Sequence, residues 1–181
     1  MMLGKNQTLP QQLNDGQSLH VQEVFYTLQG EGTFSGRPAL FIRLSGCNLS
    51  CYWCDTDFES SKWQPSLDEL LREAKSLVPP HCNLAVISGG EPFRQNIGPL
   101  VQTLLAENFI VQIETNGTLW TDLPEDDRIN IVCSPKTAYV HPEIYRRAHS
   151  FKYVVAAGAV DSADGLPGVS AQQPGVECRV A

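Results

Sequence analysis

Residues 39–54 read Ala39-Leu40-Phe41-Ile42-Arg43-Leu44-Ser45-Gly46-Cys47-Asn48-Leu49-Ser50-Cys51-Tyr52-Trp53-Cys54. The first seven form a short, mostly apolar strand, and three cysteines in C-x3-C-x2-C spacing follow it at once. In so short a loop all three sulfurs can converge on one group. Iron–sulfur clusters are held by cysteine thiolates, and a 4Fe–4S cubane takes four. Three thiolates leave one iron without a protein ligand, free to chelate a substrate group, as a catalytic zinc keeps an open position. A zinc knot is the competing reading, but such knots usually pair two Cys or Cys/His units at a distance. No second pair is visible; His81 beside Cys82 is the nearest approach to one.

Strand-like and helix-like stretches alternate on either side of this segment. Val21 to Pro38 reads as a strand, a Gly-rich loop and a return. Ser66-Leu67-Asp68-Glu69 has the form of a capping box, and Leu67, Leu70, Leu71, Ala74 and Leu77 then recur at helical spacing. Leu84 to Ser88, Phe109 to Glu114, Ile129 to Cys133 and Phe151 to Val155 read as strands. Ile97 to Asn108 and Pro142 to Ala148 read as helices. Such alternation predicts βαβ units and a mainly parallel sheet, hence an α/β fold. In parallel α/β folds the ligand site lies at the C-terminal ends of the strands. Residues 1–20 read as a polar tail and 21–181 as one domain. The stretch after Ala156 is rich in Gly, Ala, Asp and Pro and carries no closing helix.

Composition narrows the function. The 181 residues hold 13 Lys and Arg against 20 Asp and Glu, a formal net charge of -7. An acidic chain gains nothing from the counterion release that drives binding to phosphate backbones, so nucleic acid is disfavoured as a partner. No apolar run approaches the roughly 18 residues needed to cross a bilayer, and the first residues lack the apolar core of a signal peptide. The expected compartment is the cytoplasm, where thiols stay reduced. Cys82, Cys133 and Cys178 then read as small hydrophobes in or near the core.

Several strand ends carry candidate ligand groups. In Gly89-Gly90-Glu91-Pro92 the glycines allow close backbone approach to a ligand, and the carboxylate can accept from an ammonium; a tight turn explains the tetrapeptide equally well. Glu114-Thr115-Asn116-Gly117 is ambiguous in the same way, because Asn-Gly is a strong turn signal. Ser134-Pro135-Lys136 brings a hydroxyl and a cation to a strand end, and Gln29-Gly30-Glu31-Gly32 suits a polar, planar ligand. Arg43, inside an apolar strand, needs a partner if buried: a bound carboxylate held in its fork, or solvent at an edge. Asp55-Thr56-Asp57 offers the hard oxygen donors that Mg²⁺ accepts.

Taken together, the cysteine triplet and the GGEP that follows it resemble the radical S-adenosylmethionine (SAM) superfamily. QGEG at 29–32, GCNLSCYWCDT at 46–56, ETNG at 114–117 and SPK at 134–136 are similar to the 7-carboxy-7-deazaguanine synthase family. The resemblance runs from about Glu23 to Lys136. It implies a trimmed (β/α) barrel, a homodimer and a lyase that converts 6-carboxy-5,6,7,8-tetrahydropterin to 7-carboxy-7-deazaguanine with loss of ammonia, on the way to queuosine and other 7-deazapurines. It further implies a 4Fe–4S cluster on Cys47, Cys51 and Cys54, and SAM held by Gly90, Ser134, Pro135 and Lys136, with Glu91 and Glu114 as weaker candidates. Substrate would meet Leu28, Gln29, Gly30, Arg43 and Ser88; Mg²⁺ would bind Thr56; and an electron donor such as flavodoxin would feed the cluster. A glycyl-radical activating enzyme shares the triplet but not QGEG or CDT. A zinc-stabilised binding module is the non-enzymatic alternative. The chain departs from the family in having Ser88 for its usual Thr, and in an end that lacks the usual strand, helix and polar substrate contact. Gln173-Pro174 is the faint counterpart of a late Gln-Pro.

Overall fold

The computed structural model describes residues 6–154, 162–163 and 178–180. Its centre is a six-stranded sheet, in spatial order β1 (Val21–Leu28), β2 (Pro38–Leu44), β4 (Leu84–Gly89), β5 (Ile110–Thr115), β6 (Ile129–Cys133) and β7 (Ala148–Phe151). The β1–β2 pair is antiparallel and every later pair is parallel. The expected partial (β/α) barrel with mainly parallel strands is therefore what the chain forms. A second, two-stranded antiparallel sheet joins β3 (Leu49–Cys51) to β8 (Cys178–Val180). Neither strand is legible in the sequence, since three residues are too few to show a period. Gln173-Pro174 lies outside the described residues.

Side chains alternate across a strand, so each face of the sheet has its own set. One face carries Leu40, Ile42 and Leu44, Ala85 and Ile87, Val111 and Ile113, and Ile129, Ile131 and Cys133. These pack under α1 (Leu67–Leu77), α2 (Gly98–Ala106) and α3 (Pro142–Arg147) as the main core. α1 begins where the sequence places it: Ser66 Oγ accepts from the Glu69 amide at 3.4 Å, and Glu69 Oε2 accepts from the Ser66 amide at 2.9 Å. Leu67, Leu70, Leu71 and Ala74 are buried, while Leu77, in the last turn, is 39% exposed. Leu100 and Leu104 of α2 are fully buried. Each such side chain contributes about 1.5–3 kcal/mol by leaving water.

The other face is apolar low down, where Ala39, Phe41, Leu84 and Val86 meet Phe25, Phe34 and Ile110. One step further along the same face it turns polar: Arg43 follows Phe41, Ser88 follows Val86, Glu114 follows Gln112 and Ser134 follows Val132. The period of two thus delivers the polar candidates together to the C-terminal edge.

Two expectations need correcting. The last strand was expected at Phe151–Val155 but runs over Ala148–Phe151. α3 ends at Arg147, Ala148 is already extended, and pairing with β6 runs out when Phe151 meets Cys133. Residues 6–20, from the stretch read as a polar tail, lie against the body. Leu19 is fully buried, the Leu9 amide donates to the Cys47 carbonyl at 2.8 Å and the Gln12 amide to the Arg94 carbonyl at 2.7 Å. Gln11 Nε2 donates to the carbonyls of Phe93 and Trp120. These residues therefore stitch together the loops that follow β2, β4 and β5.

Among the described residues no helix is long and apolar enough to cross a membrane.

Candidate active site

A cavity of about 670 Å³ opens at the C-terminal edge, within the range of small-molecule sites. All three clustered cysteines line it, and so do Gln29, Gly30, Arg43, Thr56, Ser88, Gly90, Glu114, Ser134 and Lys136. Leu28, Glu91 and Pro135 are not part of its wall. Leu28 is 61% exposed at the end of β1, Pro135 is buried, and Glu91 lies fully buried beneath the site.

The cysteine loop is built by backbone. Gly46, with φ at +81°, turns the chain out of β2, and its amide donates to the Phe58 carbonyl at 2.9 Å. The Cys54 amide donates to the Cys51 carbonyl at 3.0 Å and closes the turn between the last two thiols. Cys47 and Cys51 are buried with Leu49 and Phe58, and Trp53 and Cys54 pack against them. Tyr52 is 61% exposed. Opposite the loop, a β-carbon on Gly90 would stand 2.2 Å from the Gly46 carbonyl oxygen and 2.8 Å from Cys47 Cβ. Only glycine lets the end of β4 approach the loop so closely.

These residues fit an iron–sulfur cluster. The donors are three soft thiols at one wall of one cavity. The Leu49 amide points at Cys47 Sγ from 3.4 Å and Asn116 Nδ2 lies 3.9 Å from it, the kind of donors that stabilise a thiolate. Without metal, burial, with Glu91 next, pushes the Cys47 thiol up to about 12, so a thiolate there needs a cation. Among the described residues no three His, Cys, Asp or Glu gather tightly enough for a single ion. Four sulfurs around one zinc sit within about 4 Å of each other, whereas thiolates on separate corners of a cubane stand further apart. His81 is exposed, and Cys82 lies by Pro38 and Leu84 at the opposite end of the sheet, so neither joins the loop.

The polar wall is a connected network. Glu114 is its hub: Oε1 accepts from Gln29 Nε2 at 2.9 Å and from Gln112 Nε2 at 3.2 Å, and Oε2 accepts from Ser88 Oγ at 3.1 Å. Glu114 therefore keeps company with two residues expected to meet substrate rather than with the SAM set. Arg43 Nε lies 3.2 Å from Glu23 Oε1, close enough to pair in charge but not aligned as a hydrogen bond. Its guanidinium stacks on Phe25 at 5.4 Å. The partner that this semi-buried Arg required is thus found in part on β1, and it still lines the cavity. Lys136 Nζ donates to Ser134 Oγ at 2.6 Å and sits 4.7 Å above the Trp53 ring. Thr56 Oγ1 donates to Asp55 Oδ1 at 3.0 Å.

Sequence reading missed three features. Glu91 is a clamp: Oε1 accepts from the Phe93 amide (3.0 Å) and Thr115 Oγ1 (2.8 Å), and Oε2 accepts from the Asn116 amide (2.7 Å). Asn116, read only as a turn former, donates to Asn48 Oδ1 at 3.0 Å and so ties the ETNG turn to the cysteine loop. Lys152 pairs with Glu31 across the cavity mouth. Only the adjacency of GGEP and ETNG to strand ends could have hinted at the first two. A second hollow, of about 790 Å³ between Asp126–Arg128 and Arg146–His149, contains none of the candidate residues.

Residues 41–158 match the radical SAM superfamily. The chain is 58% identical over 174 residues to the 7-carboxy-7-deazaguanine synthase of Rhodospirillum rubrum, covering 96% of this chain and 74% of that protein. It is 44% identical to the enzyme of that name from Rickettsia prowazekii, over 88% of this chain and 71% of the other. Among solved structures it is similar to the crystal structure of QueE from Escherichia coli. There the TM-score is 0.64 at 30% identity, over 74% of this chain and 69% of that one.

Proposed function

Because the chain belongs to the radical SAM superfamily and, within it, to the 7-carboxy-7-deazaguanine synthases, we infer that it converts 6-carboxy-5,6,7,8-tetrahydropterin to 7-carboxy-7-deazaguanine with loss of ammonia. The observation that carries this reading is the meeting, in one cavity, of the cysteine triplet with the Gln29–Ser88–Glu114 network and Arg43. A zinc module without catalysis has no use for such a polar pocket.

A bound cluster would supply the single electron that reductive cleavage of SAM requires, and with it the radical chemistry of this superfamily. Cys47, Cys51 and Cys54 hold the cluster. Gly90 offers backbone at close range to the amino-acid end of SAM, while Ser134 and Lys136 meet its remainder, with Pro135 fixing the turn between them. Glu91, buried, acts by shaping the GGEP and ETNG turns rather than by touching SAM. Arg43 grips the substrate carboxylate with the edge of its fork not turned to Glu23. Gln29, Gly30 and Ser88 bind the pterin ring, and Glu114 orients Gln29 and Ser88; Leu28, outside the cavity wall, takes no part in this arrangement. Thr56 provides an oxygen to Mg²⁺. The protein offers few ligands there, so water and substrate complete the shell, as is usual for this ion. The reading includes a homodimer, a flavodoxin-like electron donor and a cytoplasmic setting.

The direct test is an anaerobic incubation of reconstituted protein with SAM, reductant and the carboxypterin. A deazapurine product is expected; SAM cleavage without it would transfer the chain to the activating enzymes. Arg43→Lys should raise the KM for the pterin about tenfold or more while leaving SAM binding unaltered, because Lys offers no planar fork. Normal binding of both ligands would remove Arg43 from the substrate site. Thr56→Ala should blunt the stimulation of turnover by magnesium, and an unchanged magnesium response would take Thr56 out of the metal shell.

A further inference from the structure

Arg94 is a buried cation that pairs with no carboxylate among the described residues. It ends the 3₁₀ turn Pro92–Arg94 and is 3% exposed. Nη1 donates to the Pro10 carbonyl at 3.3 Å and Nη2 to the Ser45 carbonyl at 3.2 Å, while Nε finds no acceptor. Burying a charge on such terms is costly, so an absent counter-charge is the natural completion.

The geometry says where that charge belongs. The guanidinium lies flat against Gly46: a β-carbon there would stand 2.7 Å from Nε and 2.9 Å from Cζ. The next residue is Cys47. The segment that takes Nη1 at Pro10 also donates, through the Leu9 amide, to the Cys47 carbonyl. Arg94 thus backs the thiol that opens the cysteine loop, and it lines a hollow of about 530 Å³ with His20, Lys62 and Glu59, whose carboxylate accepts from the Gln7 amide rather than from Arg94. A cubane on three thiolates is a net anion and becomes more negative on reduction. Net charge near a cluster is one of the levers on its potential.

We propose that Arg94 is the buried counter-charge of the iron–sulfur cluster, a positioning residue that acts through Cys47 and raises the cluster's reduction potential. The proposal rests on the cluster reading above. One electron arrives from an external donor, and no bond forms or breaks at Arg94.

The test uses the full chain, reconstituted without oxygen and assayed for iron and sulfide. It is then titrated with dithionite and mediators while the reduced cluster is followed by electron paramagnetic resonance. In Arg94→Gln the ratio of reduced to oxidised cluster at a fixed potential should fall at least tenfold, a shift of 59 mV for a one-electron couple. Arg94→Lys should recover most of it. A Gln variant that folds but holds no cluster, beside a Lys variant that holds one, also supports the proposal, since the two differ in charge. The proposal falls if fully loaded Arg94→Gln titrates with the wild type or if both variants lose the cluster alike. It falls too if Arg94→Gln cannot fold without metal, since the carbonyl bonds would then be the purpose of the residue. Failure of the wild-type chain to take up iron would instead sink the cluster reading itself.

Discussion

Cys51→Ala is expected to give a folded but colourless chain that binds no cluster and cleaves no SAM. Cys51 lies in β3, buried beside Cys47 and Phe58, and its backbone pairs with β8. Replacing a small buried thiol by a methyl group costs about 1 kcal/mol of packing, which a domain of this size survives. The loss of a thiolate is of another order. Three ligands become two, a second iron is left bare, and the cubane has no purchase against chelators or oxygen. Iron and sulfide analysis after anaerobic reconstitution, read beside the circular dichroism melt, separates the two effects. A brown variant with wild-type iron content would mean that Cys51 is a core residue and that the cluster is held in some other way.

Glu91→Ala should be the most damaging change outside the cysteines, and it should act on the fold first. Three donors from two different turns converge on this fully buried carboxylate. Removing it strands the Phe93 and Asn116 amides and the Thr115 hydroxyl. Each buried donor left bare costs about 1–3 kcal/mol, so the loss should reach about 3–5 kcal/mol even without strict additivity. The metal-free protein should show it as a fall in melting temperature well beyond that of Glu114→Ala. The latter removes only side-chain partners from a half-buried wall. Equal melting of the two would deny the clamp. The same residue gives a pH signature. Burial pushes its carboxyl up to about 7, against three hydrogen bonds that pull it down. A carboxyl whose pKa is higher folded than unfolded binds more protons in the native state. Metal-free stability should therefore decline as pH rises from about 4.5 towards 7, and Glu91→Gln should flatten that decline.

Much of the architecture is local information. The capping box of α1, the leucines of α2 and the apolar β-rich runs of β2, β4, β5 and β6 identify themselves by period, because exclusion of water acts on neighbours in the chain. The last strand shows where this fails: Phe151 to Val155 has the right composition, yet the pairing stops where β6 stops. β3 and β8 show the other failure, since each becomes a strand only by finding the other.

The sequence by itself determined the donor set, the alternation that sends Arg43, Ser88, Glu114 and Ser134 to one face, and through these the family. Spacing and period are properties of a line, and a line is enough for them. Tertiary structure alone decided what each group faces. Folding turned Glu91 from a ligand candidate into a clamp and made Glu114 a hub for Gln29 and Ser88. It gave Arg43 a partner in Glu23, laid residues 7–12 across the cysteine loop, and left Arg94 charged, buried and unpaired among the described residues behind Cys47. Those outcomes depend on distances between residues up to 85 positions apart, such as Gln29 and Glu114. The energy of burying a charge or a donor is set by whatever stands within a few ångströms of it, and the chain's order does not say what that will be.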